Sequence, residues 1–162
     1  MHAGDTLETL FRHHRWANLR IVDGCLPLSD AQLDQGLLGT YGTIRDTLRH
    51  MMLAERSYLS RIRSGERYTH PEGAPPPSLE EMRASLDETG AGLIAWAARV
   101  EAGDAVEIDW DGEPRQVPKT ILLTQAINHA TEHRAQIMAI LTQLGIQPPE
   151  LDAWTYFDGL AR

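Results

Sequence analysis

Four long stretches of the chain repeat apolar residues every three or four positions, which is the spacing of helices with one buried face. They run from Asp5 to Pro27, from Thr43 to Gly65, from Ser78 to Val100 and from Pro118 to Gly145. Polar pairs three residues apart, such as Ser78 with Glu81, open three of these stretches, and Gly65 is typical of a helix end. A further short turn of helix is predicted from Ser29 to Gly36. The chain is therefore predicted to be mainly helical.

Two segments between these helices break the helical pattern. Residues 66–77 contain Pro71 and the Pro75-Pro76-Pro77 run, so they are predicted to form a long crossover loop. Residues 106–110 alternate apolar and polar side chains, Asp111-Gly112 is a tight-turn dipeptide, and residues 115–117 supply a return strand. The predicted fold is all-α, a four-helix bundle with a long crossover loop between helices two and three and a small β-hairpin before helix four. We expect residues 1–162 to form a single domain.

Charge and cysteine content narrow the functional classes. The chain carries 15 Lys and Arg against 23 Asp and Glu, and its formal charge of −8 argues against a nucleic-acid surface. The single cysteine, Cys25, excludes an internal disulfide and fits a reducing compartment. No apolar run approaches the roughly 18 residues of a membrane span, and the N-terminus lacks the pattern of a signal peptide. We therefore expect a cytoplasmic protein that binds neither nucleic acid nor membranes.

His129 and His133 lie one helical turn apart on the fourth predicted helix. They continue the apolar stripe formed by Leu122, Ala126 and Ile137, so both imidazoles are predicted to face the interior. A histidine pair at this spacing is half of a divalent-metal site, because neutral imidazole is a common metal ligand. Taken alone, the pair is more simply explained by core histidines that hydrogen-bond to neighbouring carboxylates or carbonyls.

His50 changes this interpretation. It lies on the flank of the second predicted helix, a position that can face a neighbouring helix. If helices two and four are adjacent, His50, His129 and His133 present three neutral ligands to one cation and leave coordination positions open, as in catalytic metal sites. Among the other histidines, His14 lies on a buried stripe and is a candidate for lining a pocket, whereas His70 falls in the predicted loop and is a poorer candidate.

Glu132 belongs to a second motif, because residues 129–133 match the His-x-x-Glu-His pattern of inverted zinc peptidases. Such enzymes need another carboxylate well downstream, and the only glutamate after His133 is Glu150, in a Pro-Pro turn. The helical organisation also differs from a peptidase scaffold. We therefore expect Glu132 to orient a histidine or to face solvent, and Glu55 on helix two to be another group outside the ligand set. No catalytic residue is assigned.

Three segments together resemble the DinB/YfiT-like family of helical proteins. They are residues 13–21 (His-His-Arg-Trp-Ala-Asn-Leu-Arg-Ile), residues 42–50 (Gly-Thr-Ile-Arg-Asp-Thr-Leu-Arg-His) and residues 128–137, which continue to Leu144-Gly145. With the predicted hairpin, the resemblance covers nearly the whole chain. Ala135 departs from it, since many members have glycine immediately before the position of Gln136, but this difference removes no metal ligand.

The resemblance implies a four-helix bundle whose metal site maps onto His50, His129 and His133. We expect one divalent transition-metal ion per chain, which would be zinc, nickel, iron or manganese. Homodimers are common in the family. Where a reaction is known, members couple a low-molecular-weight thiol to an electrophile or isomerise a substrate with thiol assistance.

The leading hypothesis is a metal-dependent enzyme that resembles thiol S-transferases and uses a low-molecular-weight thiol with a second small-molecule substrate. A coordinated thiol is readily deprotonated, so such an enzyme needs no dedicated protein base. The alternative is a non-enzymatic metal-binding bundle that serves stability or dimer assembly.

Overall fold

Six helices and two strands make up the part of the chain that the structure, a computed structural model, describes, which is residues 6–160. In chain order they are α1 (Thr6–Cys25), α2 (Asp30–Leu33), α3 (Ile44–Ser64), α4 (Leu79–Ala97), β1 (Ala105–Trp110), β2 (Glu113–Pro118), α5 (Lys119–Gln143) and α6 (Ala153–Leu160). The prediction of a mainly helical chain with one small hairpin is confirmed. Asp5, which was predicted to open the first helix, lies outside the described residues. Within them, no helix has both the length and the apolar character that crossing a membrane requires.

The boundaries of the long helices follow from local hydrogen bonding. Thr43 and Ser78 cap α3 and α4 through capping boxes, and Ser29 does the same for the short α2. The third long helix was predicted to reach Val100, but α4 ends at Ala97. The prediction overshot because the backbone N–H groups of residues 99 and 100 both bond to the carbonyl of Trp96, which closes a tight turn.

Gly65 ends α3 and brings the hairpin against it. Its φ of 83° is left-handed, and a Cβ at this position would lie 2.5 Å from the backbone oxygen of Glu107 in β1. β1 and β2 pair antiparallel with Val106 opposite Val117, and the turn between them has positive φ at Asp111. Only glycine permits so close an approach, so the hairpin packs directly beside the C-terminal end of α3.

The four long helices pack around shared apolar clusters. α1 contacts α4 and α5, and α3 contacts the same two helices. One buried cluster includes Ile21, Leu48 and Leu86, and the other includes Phe11 and Leu93. The adjacency of the second and fourth long helices, on which the metal prediction depends, is therefore present as the contact between α3 and α5.

A buried layer of polar side chains separates the two apolar clusters along α1, α3 and α4. Glu55 of α3 accepts hydrogen bonds from His14 Nε2 (2.7 Å), Asn18 Nδ2 (2.8 Å) and Thr89 Oγ1 (2.6 Å). Arg134 of α5 donates to the side-chain oxygen of Asn18. Each of these five side chains is at most 5% exposed. We call them the polar layer; it connects all four long helices through charged and hydrogen-bonded groups.

Residues 153–160 form α6, which the sequence pattern did not predict. Tyr156 packs against His13 and Trp16 of α1, with ring centroids 5.7 and 5.3 Å apart. The other two aromatic residues of α6 are exposed. Only one of the eight residues is buried. The segment is shorter than the roughly 11–18 residues over which apolar spacing identifies a helix, so the sequence pattern did not indicate it.

Replacing Glu55 with alanine is expected to lower the free energy of unfolding by about 3 kcal/mol or more, because three buried hydrogen-bond donors would lose their acceptor and the buried Arg134 guanidinium would lose its compensating negative charge. Chemical denaturation monitored by circular dichroism measures this change. Glu132→Ala is the matched control, because Glu132 is exposed on α5 and the same substitution there should change stability by less than about 0.5 kcal/mol. Equal losses in both variants would contradict a central role for the polar layer.

Candidate metal centre

Packing of α3 against α5 brings three histidines from separate parts of the chain to one point. His50 Nε2 lies 2.9 Å from His129 Nε2, which lies 3.2 Å from His133 Nε2. The three ligand atoms all lie within 4.8 Å of one another. Nitrogens bound tetrahedrally to one zinc ion at about 2.0 Å would be about 3.3 Å apart. The spacing of this three-histidine cluster therefore fits one shared cation.

The local environment keeps two of these imidazoles, His50 and His129, uncharged. The pKa of His129 is lowered to about 4, mainly by burial and then by the neighbouring His133 and His50, while Glu55 opposes the shift. Burial, followed by His133, also lowers the pKa of His50. A histidine with a lowered pKa is neutral at pH 7 and offers a lone pair to a cation. These two histidines can therefore bind a cation without first losing a proton.

Gln136 sets the tautomer of His133. Its side-chain oxygen accepts a hydrogen bond from His133 Nδ1 (2.9 Å) and another from the backbone N–H of Tyr41 (3.1 Å). Because Nδ1 carries the hydrogen, Nε2 keeps its lone pair directed toward the other two histidines. Gln136 was not among the predicted site residues, although its position one helical turn after His133 is a signal that would have identified it.

Two tyrosines flank the cluster. Tyr41 stacks on His50, with ring centroids 4.0 Å apart and planes 17° apart. Tyr58, two turns after His50 on α3, presents its ring edge-on to His129 at 5.7 Å. Tyr41 lies in the loop before α3, where no periodic pattern indicates its direction, so the sequence could not assign it to the site. The two rings cover the histidines with apolar surface and a phenol hydroxyl group each.

A cavity of about 650 Å³ opens beside the three-histidine cluster. His50 and His129 form one end of its wall, and the residues that follow His50 along α3 continue it. Loop residues 67–70, directly after α3, line the opposite part of the cavity. Its volume is in the range of small-molecule sites, which is about 300–1,000 Å³. The cavity gives a small molecule access to His50 and His129.

The remaining candidates from the sequence lie outside this cavity. Glu132 is exposed, and within the described residues it makes no hydrogen bond to a histidine. His14 and Glu55 are bonded to each other in the polar layer. Neither lines the cavity, although the charge of Glu55 acts on His129. The structure therefore places both behind the cluster, on the core side of α3.

Comparison with known proteins agrees with this arrangement. A family model described as the DinB family matches residues 2–159. A DinB-like protein from Bacillus cereus is similar in structure, with 20% sequence identity and a TM-score of 0.62 over 86% of this chain and 91% of that one. A DinB-like protein, YjoA, from Bacillus subtilis has 13% identity and a TM-score of 0.64 over 91% of this chain and 99% of that one.

At these identities the structural likeness concerns the fold alone. A comparison with curated proteins gives no match. The family model, however, spans nearly the entire sequence and includes all three clustered histidines. The chain belongs to the DinB family.

Proposed function

We propose that this protein is a divalent-metal-dependent enzyme resembling thiol S-transferases, which joins a low-molecular-weight thiol to an electrophilic small molecule. The observation that supports the proposal is the convergence of three imidazole nitrogens beside an open cavity. His50, His129 and His133 would hold one ion per chain, with zinc, nickel, iron and manganese as the candidates. Three protein ligands leave a coordination position open, which is typical of catalytic sites.

A bound divalent ion lowers the pKa of a coordinated thiol and so supplies a thiolate at neutral pH. The protein's own residues orient and shield the reactants. Gln136 fixes the direction of His133, and Tyr41 and Tyr58 cover the histidines from two sides. The cavity wall then positions the electrophile. In the overall reaction a carbon–sulfur bond forms, the thiol proton passes to solvent, and any leaving group departs with its electron pair.

We also propose a fold class, an oligomeric state and a cellular location for the protein. The four long helices would form a single-domain four-helix bundle. The crossover loop between α3 and α4 and the hairpin before α5 would lie near one end of the cavity. We propose a cytoplasmic homodimer that acts on small molecules. The family assignment and the absence of a candidate membrane span among residues 6–160 are consistent with this setting.

A second function has its own supporting observation. The three histidines come from two different helices, so an ion bound among them would tie α3 to α5. A non-enzymatic metal-binding protein, in which the ion serves stability or dimer assembly, would use the same cluster for that purpose. The two functions differ in whether the cavity takes part.

Metal content is the first test. After incubation with zinc or nickel and removal of excess ion, elemental analysis is expected to find close to one divalent ion per chain. His129→Ala and His133→Ala should each remove most of it, because two imidazoles alone bind weakly. His13→Ala is the control, since His13 packs on α6 and should not affect metal content. A reconstituted protein without metal would rule out both functions.

Gln136→Leu is expected to weaken metal binding by about tenfold or more, because His133 would lose the acceptor that fixes its tautomer. Competition with a chromophoric chelator measures the affinity. Gln143→Leu, an exposed substitution on the same helix, should leave it unchanged. If the affinities of the two variants are equal, Gln136 has no orienting role.

Transfer activity separates the two functions. With chlorodinitrobenzene as electrophile, the metal-loaded protein should accelerate reaction with at least one small thiol, and His129→Ala should abolish the acceleration. Thermal melting with and without chelator is measured in parallel. Strong stabilisation by metal, with no transfer from several thiols, would favour the structural function instead.

A further inference from the structure

The end of the cavity away from the histidines is basic. His50, Ser57 and Arg61 follow one another along one face of α3, and all three line the cavity. Arg67 and His70 line it from the loop after α3. Eleven residues separate His50 from Arg61, which corresponds to about 16 Å along a helix axis. The cavity therefore extends from a metal-binding cluster to a group of cationic and hydrogen-bonding side chains.

The two arginines of this basic end lack acidic partners. Within residues 6–160, no carboxylate lies within 4.0 Å of either the Arg61 or the Arg67 guanidinium. Arg61 Nε is buried and makes no hydrogen bond there. Five other arginines among the described residues pair with carboxylates, for example Arg83 with Asp23 and Arg45 with Asp34, whereas exposed arginines such as Arg63 do not. Arg61 differs from the exposed ones because its Nε is buried. An unpaired buried guanidinium N–H is costly, so an anionic acceptor at this position would stabilise it.

Three carboxylates line a neighbouring cavity that Arg61 and Arg67 also border, those of Glu66, Glu107 and Asp109. Glu107 accepts a hydrogen bond from Gln116 at 3.0 Å, and Asp109 accepts one from the backbone N–H of the hairpin turn at 2.7 Å. None of the three forms an ion pair with either arginine within the described residues.

Further hydrogen-bonding atoms at the cavity wall are also without partners. Ser57 Oγ and both ring nitrogens of His70 are buried, and none of them makes a hydrogen bond within the described residues. In folded proteins most buried polar atoms are bonded, so several orphaned ones in one place indicate a ligand site. The chain's net charge of −8 repels anions in general, which makes this local group of cations and donors a specific feature.

We propose that the basic end of the cavity binds the carboxylate of a small organic molecule whose other end reaches the three-histidine cluster. The planar guanidinium of Arg61 matches a carboxylate, Arg67 adds a second positive charge, and His70 and Ser57 add hydrogen-bonding groups. Tyr58 and Tyr68, which also line the cavity, supply apolar walls for the intervening part. This inference rests on the proposed function, for which it names the substrate class: either the thiol or the electrophile carries a carboxylate.

A matched pair of probes tests the carboxylate site without sulfur chemistry. Isothermal titration of the metal-loaded protein should show phenylbutyrate binding about tenfold or more tightly than its neutral amide, phenylbutyramide. Arg61→Gln should remove this preference. Arg63→Gln, an exposed substitution on the same helix and outside the cavity wall, should keep it.

Two further measurements distinguish recognition of the acid by Arg61 from its coordination to the metal. A carboxylate can also bind a metal ion, so the titration is repeated after chelation, and the preference should persist. Arg61→Lys, which keeps the charge, and Arg67→Gln should each weaken the preference partially. These two variants can still test the proposal if Arg61→Gln does not fold. A preference that disappears with the metal, that survives Arg61→Gln, or that is absent in the unmodified protein would overturn the proposal.

The source of the carboxylate is tested by exchanging it between reactants. One pair is mercaptopropionate with chlorodinitrobenzene, and the other is mercaptoethanol with chloronitrobenzoate. In both, the thiolate sulfur bonds to the ring carbon, the carbon–chlorine bond breaks, chloride leaves and the thiol proton passes to buffer. If the natural thiol carries the carboxylate, the mercaptopropionate pair should show the lower KM. If the natural electrophile carries it, the chloronitrobenzoate pair should. Arg61→Gln should raise the lower of the two KM values.

The outcomes separate this inference from the proposed function. If phenylbutyrate binding depends on Arg61 but neither pair shows transfer, the enzymatic function is refuted. The carboxylate-binding site is then still supported. Transfer that is insensitive to Arg61→Gln in both pairs would support the enzyme and overturn the carboxylate inference.

Discussion

A buried carboxylate, Glu55, joins α3 to α1 and α4 through three hydrogen bonds, and the arrangement of the long helices depends on it. As a lone charge in the core it would be strongly destabilising, and it is accommodated because His14, Asn18 and Thr89 donate to it from α1 and α4. Arg134 adds the compensating charge from α5 through Asn18. Apolar side chains tolerate small shifts, whereas hydrogen bonds of 2.6–2.8 Å do not. The polar layer therefore fixes the register of four helices at once.

The same helices carry the histidine cluster, so the constraint extends to the site. His50 precedes Glu55 by five residues on α3, a rotation of about 140° at 100° per residue. Glu55 can therefore face α1 and α4 while His50 faces α5, as the contacts of the two residues show. On α5, Arg134 directly follows His133 and turns toward the polar layer. Each of these two helices, α3 and α5, thus carries residues of the polar layer and of the candidate metal centre.

The charges at the candidate site differ from the net negative charge of the chain. The chain is acidic overall, yet burial lowers the pKa of His50 and of His129 and keeps both neutral, and two arginines beside the cavity are left without carboxylate partners among the described residues. Neutral imidazoles leave the full charge of a bound cation available to a ligand. Unpaired guanidinium groups attract the opposite end of an anionic molecule. Together these features favour a small, negatively charged substrate that spans the cavity.

The four long helices, the caps of α3 and α4, the hairpin and the three clustered histidines could be predicted from the sequence, because periodicity and spacing along one segment are local properties. His129 and His133 share a helical face whatever the fold. His50 was added from its position on the flank of the second long helix, and the resemblance of three short segments to a family mapped the metal site onto the same three residues. Tyr41 was missed, since a ring stacked between distant segments depends on how they pack. Gln136 was missed although its position one turn after His133 on the same helix is a local signal. The placement of Glu55 and His14 in one network, and the pairing state of Arg61, were decided only by the tertiary structure. A sequence gives the direction of a side chain relative to its own helix, but the partner that meets it depends on which helix lies opposite.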